Sequence, residues 1–179
     1  IEMGANHQGE IALLCEIAAP DAGIITNIGK AHLEGFGSLE GVRKGKGELY
    51  DYLETSEGTA IADLSDPVLA SMVGERKLKV FSYGVGTGYD VSGHLSVSGE
   101  RIEGTFQAGP GACPLHSGLF GAYNFRNMLA AAAAGVFMNV PPHAISEAVK
   151  RYVPQNNRSQ TIRGKTNTLI LDAYNANPT

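Results

Sequence analysis

The apolar pattern over the first 83 residues switches repeatedly between the 3.6-residue period of a helix and short continuous runs of the strand kind. This alternation restricts the fold more than any other feature. Gly9–Ala19 places Ile11, Leu14, Cys15 and Ala18 on one helical face and stops at Pro20. Ala22–Ile28 is an isoleucine-rich run between Asp21 and Gly29 and suits a buried strand. Ser38–Tyr52 reads as a helix with Ser38 as N-cap, and Gly58–Ala62 as a strand. Asp66–Val73 reads as a short helix started by Pro67, and Leu78–Tyr83 as a strand. Strands alternating with helices predict an α/β fold, a mostly parallel sheet with flanking helices.

The pattern changes at Gly84. Apolar and polar residues alternate from Asp90 to Gln107 around Ser98-Gly99-Glu100, which predicts a small antiparallel hairpin. Gly84-x-Gly86-x-Gly88 is read as the loop before that hairpin, because no helix plainly follows it as a dinucleotide fingerprint requires. Tyr123–Phe137 and Pro142–Tyr152 are expected helices, the second with Ile145, Val149 and Tyr152 on one face. The polar stretch Pro154–Asn167 is expected to be a linker, and Thr168–Leu171 a last strand.

Composition narrows the function classes. With 43% hydrophobic and 18% charged residues, the 179-residue chain supports a packed core. A net charge of −4 and a pI near 5.7 argue against a nucleic-acid footprint. The longest apolar run, Leu129–Val136, is interrupted by Gly135 and falls well short of the roughly 18 residues of a membrane span. Cys15 and Cys113 make neither a disulfide framework nor a zinc site. No signal-peptide pattern, internal repeat or low-complexity tract is visible. The 23 glycines are about 13% of the chain, nearly twice the usual ~7%. Ile1-Glu2-Met3-Gly4 reads as the end of a strand, so the chain is expected to open mid-fold.

One lysine is out of place. On the Ser38 helix the apolar stripe is Leu39, Val42, Leu49 and Leu53; Lys46 falls inside it and Lys44 opposite. An inward ammonium is costly unless it is paired or chemically altered, or snorkels to the edge. Glu2 precedes a Gly-Ala-Asn turn, and His32 lies in the loop after the strand Ala22–Ile28. Ligands gather at the carboxyl ends of strands in an open parallel sheet, so Glu2 and His32 are candidates to sit together with Lys46 nearby. Equally, a lone Glu and a lone His in loops are common surface residues. A hard cation takes oxygen ligands, and a histidine can join them.

Five motifs in order then resemble a known family. They are Glu2-Met3-Gly4-Ala5-Asn6-His7, Thr26-Asn27-Ile28-Gly29-x-Ala31-His32-Leu33-Glu34, Gly45-Lys46-Gly47-Glu48, Gly121-x-Tyr123-Asn124-x-x-Asn127-x-Leu129-Ala130-Ala131, and Asp172-Ala173-Tyr174-Asn175-Ala176-Asn177-Pro178. Together with Arg158 they resemble the central ATPase domain of the Mur ligases. Tyr174–Pro178 and the stretch Ala31–Glu40 resemble the branch that adds D-alanyl-D-alanine to UDP-N-acetylmuramoyl-tripeptide through an acyl-phosphate.

The resemblance implies ATP and Mg²⁺ as cofactors. Glu2 is the implied ligand of the magnesium that bridges ATP and the acyl-phosphate, His32 of a second magnesium, and Lys46, carbamylated, is a further metal ligand. It further implies Arg158 at the terminal phosphate, Asn124 and Asn127 near the adenine, Asp172 at the ribose, and Asn175 in the loop facing the nucleotide or the amine. Asn124 could equally be an N-cap, and Asn175 and Asn177 turn residues. His7 is a candidate neighbour of the site or a turn residue. His94, His116 and His143 are expected surface or loop residues.

By the same resemblance, residues 1–154 are a central ATP-binding domain without its amino-terminal phosphate-loop segment, expected upstream of Ile1. Residues 155–179 are a linker and the first strand of a carboxy-terminal domain. Leu171 and Ala173 depart from the family's usual acid and serine. The expected setting is cytoplasmic peptidoglycan precursor synthesis, with no nucleic acid and no membrane span, and the isolated chain is expected to lack turnover. Two alternatives stay open: a folded module that binds no nucleotide, and a sibling Mur ligase or folylpolyglutamate synthase.

Overall fold

A computed structural model describes residues 1–29, 33–97, 101–119, 121–153 and 160–171. The chain divides into two compact units, with the boundary between Ser82 and Tyr83. Strands of one mixed sheet follow each other in sequence order, parallel in the first half and antiparallel in the second, with a separate two-stranded sheet near the end.

The first unit contains α1 (Glu10–Ala18), β1 (Ala22–Ile24), α2 (Leu33–Phe36), α3 (Leu39–Thr55), β2 (Thr59–Asp63), α4 (Pro67–Gly74) and the start of β3 (Lys79–Val85). β1 and β2 pair in parallel, Ala22 opposite Thr59 and Ile24 opposite Ile61. The expected strand 22–28 is shorter than its apolar run: the ladder stops at Ile24, although Ile25 stays buried. No strand forms at residues 1–5.

Both helix-start expectations hold. Ser38 accepts from Gly41 N at 3.0 Å, and Asp66 accepts from Val68 N and Leu69 N ahead of α4. The expected stripe on α3 needs one change. Leu39 is 46% exposed because it is the first residue beyond the cap, whereas Tyr50, absent from that stripe, is fully buried. Tyr50 packs with Ile11, Cys15, Ile25, Leu49, Leu53, Ala60, Leu69 and Met72 in one cluster. Burial pushes the Tyr50 hydroxyl up to about 12; the Ile25 main chain and Arg76 oppose the shift, yet neither reaches hydrogen-bond geometry.

α1 starts without a cap of its own. Its N-cap residue is Gly9, and the exposed amide groups are taken by α3: Glu48 accepts from Gly9 N at 2.6 Å and from Ala12 N at 3.0 Å. Glu10 accepts from Asn6 N at 2.6 Å and His7 N at 3.1 Å, closing the turn before the helix. Those two amides hold the Glu10 carboxyl below the usual carboxylate range.

The second unit carries the rest of β3, β4 (Val91–Val97), β5 (Ile102–Gln107), β6 (Ala112–Ser117), α5 (Tyr123–Phe137), α6 (Pro142–Arg151), β7 (Gln160–Arg163) and β8 (Thr168–Leu171). β4 and β5 form the expected hairpin, whose turn at 98–100 lies outside the described residues. The antiparallel region is larger than expected, because β6 adds a third strand against β5. Pro114 hides β6 in the sequence; at the sheet edge a residue without an N–H is tolerated.

β3 and β4 run parallel across only five connecting residues, where a parallel pair ordinarily needs a dozen or more. Gly86 at φ 117° and Gly88 at φ 93° supply the left-handed turns. A Cβ on Gly84 would lie 2.7 Å from the Tyr89 ring, so that ring rests on bare backbone. The expected loop reading holds for Gly86 and Gly88, while Gly84 belongs to β3.

α5 packs on the antiparallel strands where they have no side chain. A Cβ on Gly93 would sit 2.6 Å from Leu129, and one on Gly104 would sit 2.6 Å from Phe125. On α6, Ile145 is buried, but Tyr152 is 56% exposed because the helix stops at Arg151. Part of the expected linker is the strand β7, paired antiparallel with β8 through a turn in which Gly164 N donates to Asn167 O at 2.8 Å. Its polar sequence concealed it. No described helix is long and apolar enough to cross a membrane.

Glu48→Ala is expected to leave two helix-end amides without their carboxylate and to lower unfolding free energy by about 1–3 kcal/mol in urea titrations. Glu48→Gln should recover part of the loss. Gly104→Ala is expected to cost about 1–3 kcal/mol by overpacking against Phe125 and the His94 carbonyl, read as a lower midpoint with an unchanged m-value.

Candidate functional site

In the first unit the site is built around α3. Lys46 is half-buried and Lys44 is exposed, as the helical stripe predicts. The Lys46 ammonium does not snorkel freely: Nζ donates to the main-chain carbonyl of Asn27 at 2.8 Å. Asn27 lies just beyond the end of β1, at the carboxyl side of a parallel strand. Because the ladder ends at Ile24, this carbonyl is available to a side chain. Burial holds the Lys46 amine below the usual lysine value of 10.5, favouring the neutral form.

Glu2 is exposed, in the irregular segment before the turn at Asn6–His7. Its neighbour Met3 packs against the core, with Sδ 4.0 Å from the Cys15 thiol. His7 stays in the turn, exposed, with Nδ1 3.4 Å from Glu10 Oε1. His32 falls outside the described residues, so its expected place beside Glu2 is not described. Among the described residues no group of three His, Cys, Asp or Glu side chains converges.

The described members nevertheless fit the implied groups. Addition of CO₂ needs an unprotonated amine, and the partly desolvated Lys46 supplies one more readily than a surface lysine does. An exposed carboxylate such as Glu2 is a suitable oxygen ligand for a hard cation.

In the second unit, Asn124 and Asn127 share one face at the start of α5. Asn127 Nδ2 donates to Asn124 Oδ1 at 3.0 Å, with Asn124 buried and Asn127 exposed. Asn124 is not the N-cap: that position is Ala122, without a side-chain cap. Arg158, Asp172, Asn175 and Asn177 lie outside the described residues. His94, His116 and His143 are exposed as expected, but on β4, β6 and α6 rather than in loops.

Two features escaped the sequence reading. The Asn27 carbonyl is a main-chain group with no residue signature. Glu48 stands beside Lys46 within a quoted motif, yet its bonds to residues 9 and 12 depend on tertiary packing.

The chain is similar to known proteins along nearly its whole length. The Mur ligase middle domain family matches residues 1–135. The chain is 38% identical to the UDP-N-acetylmuramoyl-tripeptide--D-alanyl-D-alanine ligase of Escherichia coli (strain K12), covering 99% of this chain and 40% of that protein. The ligase of the same name from Bacillus subtilis (strain 168) is 31% identical, over 100% of this chain and 38% of its own length. Among solved structures, MurF from Acinetobacter baumannii superposes with a TM-score of 0.86 at 29% identity, over 99% of this chain and 39% of that one. MurF from Thermotoga maritima in complex with ADP gives a TM-score of 0.81 at 25% identity, over 98% of this chain and 40% of that one. The chain thus spans about two fifths of the relatives it matches. With the family match running from Ile1 through α5 almost to its end, the chain belongs to the Mur ligase middle-domain family.

Proposed function

We propose that the protein carrying this chain is an ATP-dependent ligase that joins D-alanyl-D-alanine to UDP-N-acetylmuramoyl-tripeptide in cytoplasmic peptidoglycan precursor synthesis. The observation that carries this reading is similarity along the whole chain to ligases of that name, 38% identical over 99% of its length. Residues 1–154 are read as part of the central ATP-binding domain. Residues 155–179, including β7 and β8, are read as a linker and the opening of a carboxy-terminal domain.

In this reading the terminal phosphoryl group of ATP passes to the tripeptide carboxylate. The dipeptide amine attacks the acyl carbon of the resulting acyl-phosphate, the C–O bond breaks, and phosphate leaves with the electron pair. The physical task is to bring several anions together and to hold the nucleophile in line. Glu2, His32 and the carbamate of Lys46 are the proposed holders of Mg²⁺, which when bound supplies positive charge to the crowded phosphate oxygens.

Lys46 prepares its own role. The neutral amine adds to the carbon of CO₂ and loses a proton to solvent, so a cationic side chain becomes an anionic oxygen ligand. The bond to the Asn27 carbonyl keeps the tip at the end of β1 during this change. Arg158 is assigned to the transferred phosphate, where a fixed guanidinium offsets developing charge. Asn124 and Asn127 are assigned to the adenine, Asp172 to the ribose, and Asn175 to the loop facing the nucleotide or amine.

Purified full-length protein with ATP, UDP-N-acetylmuramoyl-tripeptide and D-alanyl-D-alanine is expected to release one phosphate for each pentapeptide product. Absence of that product would reject the reading. The 179-residue chain alone is expected to show no turnover, and Lys46→Met in the full protein should lower kcat by at least about 100-fold. With ¹³C-bicarbonate, a carbamate NMR signal that Lys46→Met abolishes is expected. Burial lowers the Lys46 pKa from 10.5, so the neutral fraction, and with it the signal, should grow at a lower pH than for an ordinary surface lysine.

A further inference from the structure

α3 holds Gly41, Gly45 and Gly47, each of which costs a helix interior about 1 kcal/mol relative to alanine. None of the three has a positive φ, so backbone conformation does not require them. Crowding does. A Cβ on Gly41 would collide with the carbonyl oxygen of Phe36, and one on Gly45 would collide with Cε1 of the Phe36 ring. Gly47 faces the Arg76 guanidinium, where a Cβ would lie 3.2 Å from Nη2. Two of the three glycines therefore serve a single neighbour, Phe36, which is 6% exposed.

The residue before Phe36 is fixed just as closely from the other side. A Cβ on Gly35 would collide with the main-chain oxygen of Asn6 and stand 3.2 Å from His7 Nε2. The one-turn helix α2 thus touches the turn that follows Glu2 with one residue and the helix surface next to Lys46 with the next. The two described segments that carry assigned metal ligands, the turn after Glu2 and the helix with Lys46, both rest on this dipeptide, although neither residue bears a ligand atom.

We propose that Gly35 and Phe36 are positioning residues: by fitting between the Asn6 carbonyl and the Gly41–Gly45 surface, they set the spacing of the Glu2 turn and Lys46. This rests on the metal-site reading given above. The spacing matters because ligands on separate segments bind a cation well only if they are already near their final separations. Removing groups that only orient ligands typically costs about 10–100-fold in metal affinity.

The test uses the full-length protein carrying this segment, with Mn²⁺ alone as the cation probe. Binding is read from the EPR signal of the free ion, and Lys46 carbamate from ¹³C NMR. Phe36→Leu and Gly45→Ala should each weaken Mn²⁺ binding by about tenfold or more. The double variant should recover much of that loss, since leucine lacks the ring edge that a methyl group at position 45 would strike. Melting temperature is followed in parallel. Lower melting temperatures with unchanged Mn²⁺ affinity in both single variants would overturn the positioning role; should Gly45→Ala not fold, Phe36→Leu decides alone. Lys46→Gln separates the two levels. If it leaves Mn²⁺ affinity unchanged, the metal-site reading fails and the positioning role with it. If it weakens binding while the Phe36 and Gly45 variants do not, only the positioning role fails.

Discussion

An ammonium group taken partly out of water must find a partner or give up its proton, and Lys46 stands where both routes are open. The Asn27 carbonyl is a partner for either the charged or the neutral amine, while burial tilts the balance toward the neutral form. Much of the first unit serves to keep that amine in place. β1 ends early enough to leave the Asn27 carbonyl outside the ladder. α3 is anchored by Val42, Leu49, Tyr50 and Leu53, all buried. The same helix fastens α1 through Glu48, so the segment leading from Glu2 is tied to the element that bears Lys46.

Close approach of backbone recurs in both units as the means of fixing elements. Phe36 lies on glycines of α3 in the first unit; Leu129 and Phe125 of α5 lie on Gly93 and Gly104 in the second. Such contacts leave little room for sliding, because the side chain meets main-chain atoms that cannot rotate away. Surface ion pairs between α3 and the end of α4, such as Arg76 with Asp51 at 2.7 Å, add about 0–1 kcal/mol each and cannot provide the same definition. The excess of glycine in the sequence therefore reflects tight packing as well as turns.

The alternation of periods made the α/β architecture legible, and Ser38 as N-cap and Pro67 as helix starter placed two helix starts to within a residue. The helical stripe also revealed Lys46, since its angular position is a local property. What stayed hidden depends on contacts made elsewhere. β6 carries a proline that only an edge position excuses, and β7 is a polar strand defined by its pairing with β8. Ala122 rather than Asn124 takes the N-cap position of α5, two residues earlier than the side-chain chemistry suggests. The Asn27 carbonyl and the Glu48 bonds have no sequence pattern at all. His32, Arg158, Asp172 and Asn175 rest on motif resemblance alone.

The short return between β3 and β4 bears on how the chain folds. Tyr83 meets Val91 eight residues on, whereas Ala22 meets Thr59 thirty-seven residues on. Loop-closure entropy grows with the logarithm of separation, so the first pairing starts about 1.4 kcal/mol ahead of the second. A parallel ladder is ordinarily a slow, non-local event. Here Gly86, Gly88 and the Tyr89 ring on Gly84 make it a local one, and the antiparallel strands that follow are local as well. The second unit thus has the topology of an early-forming structure, while the unit that holds Lys46 must first bring distant segments together.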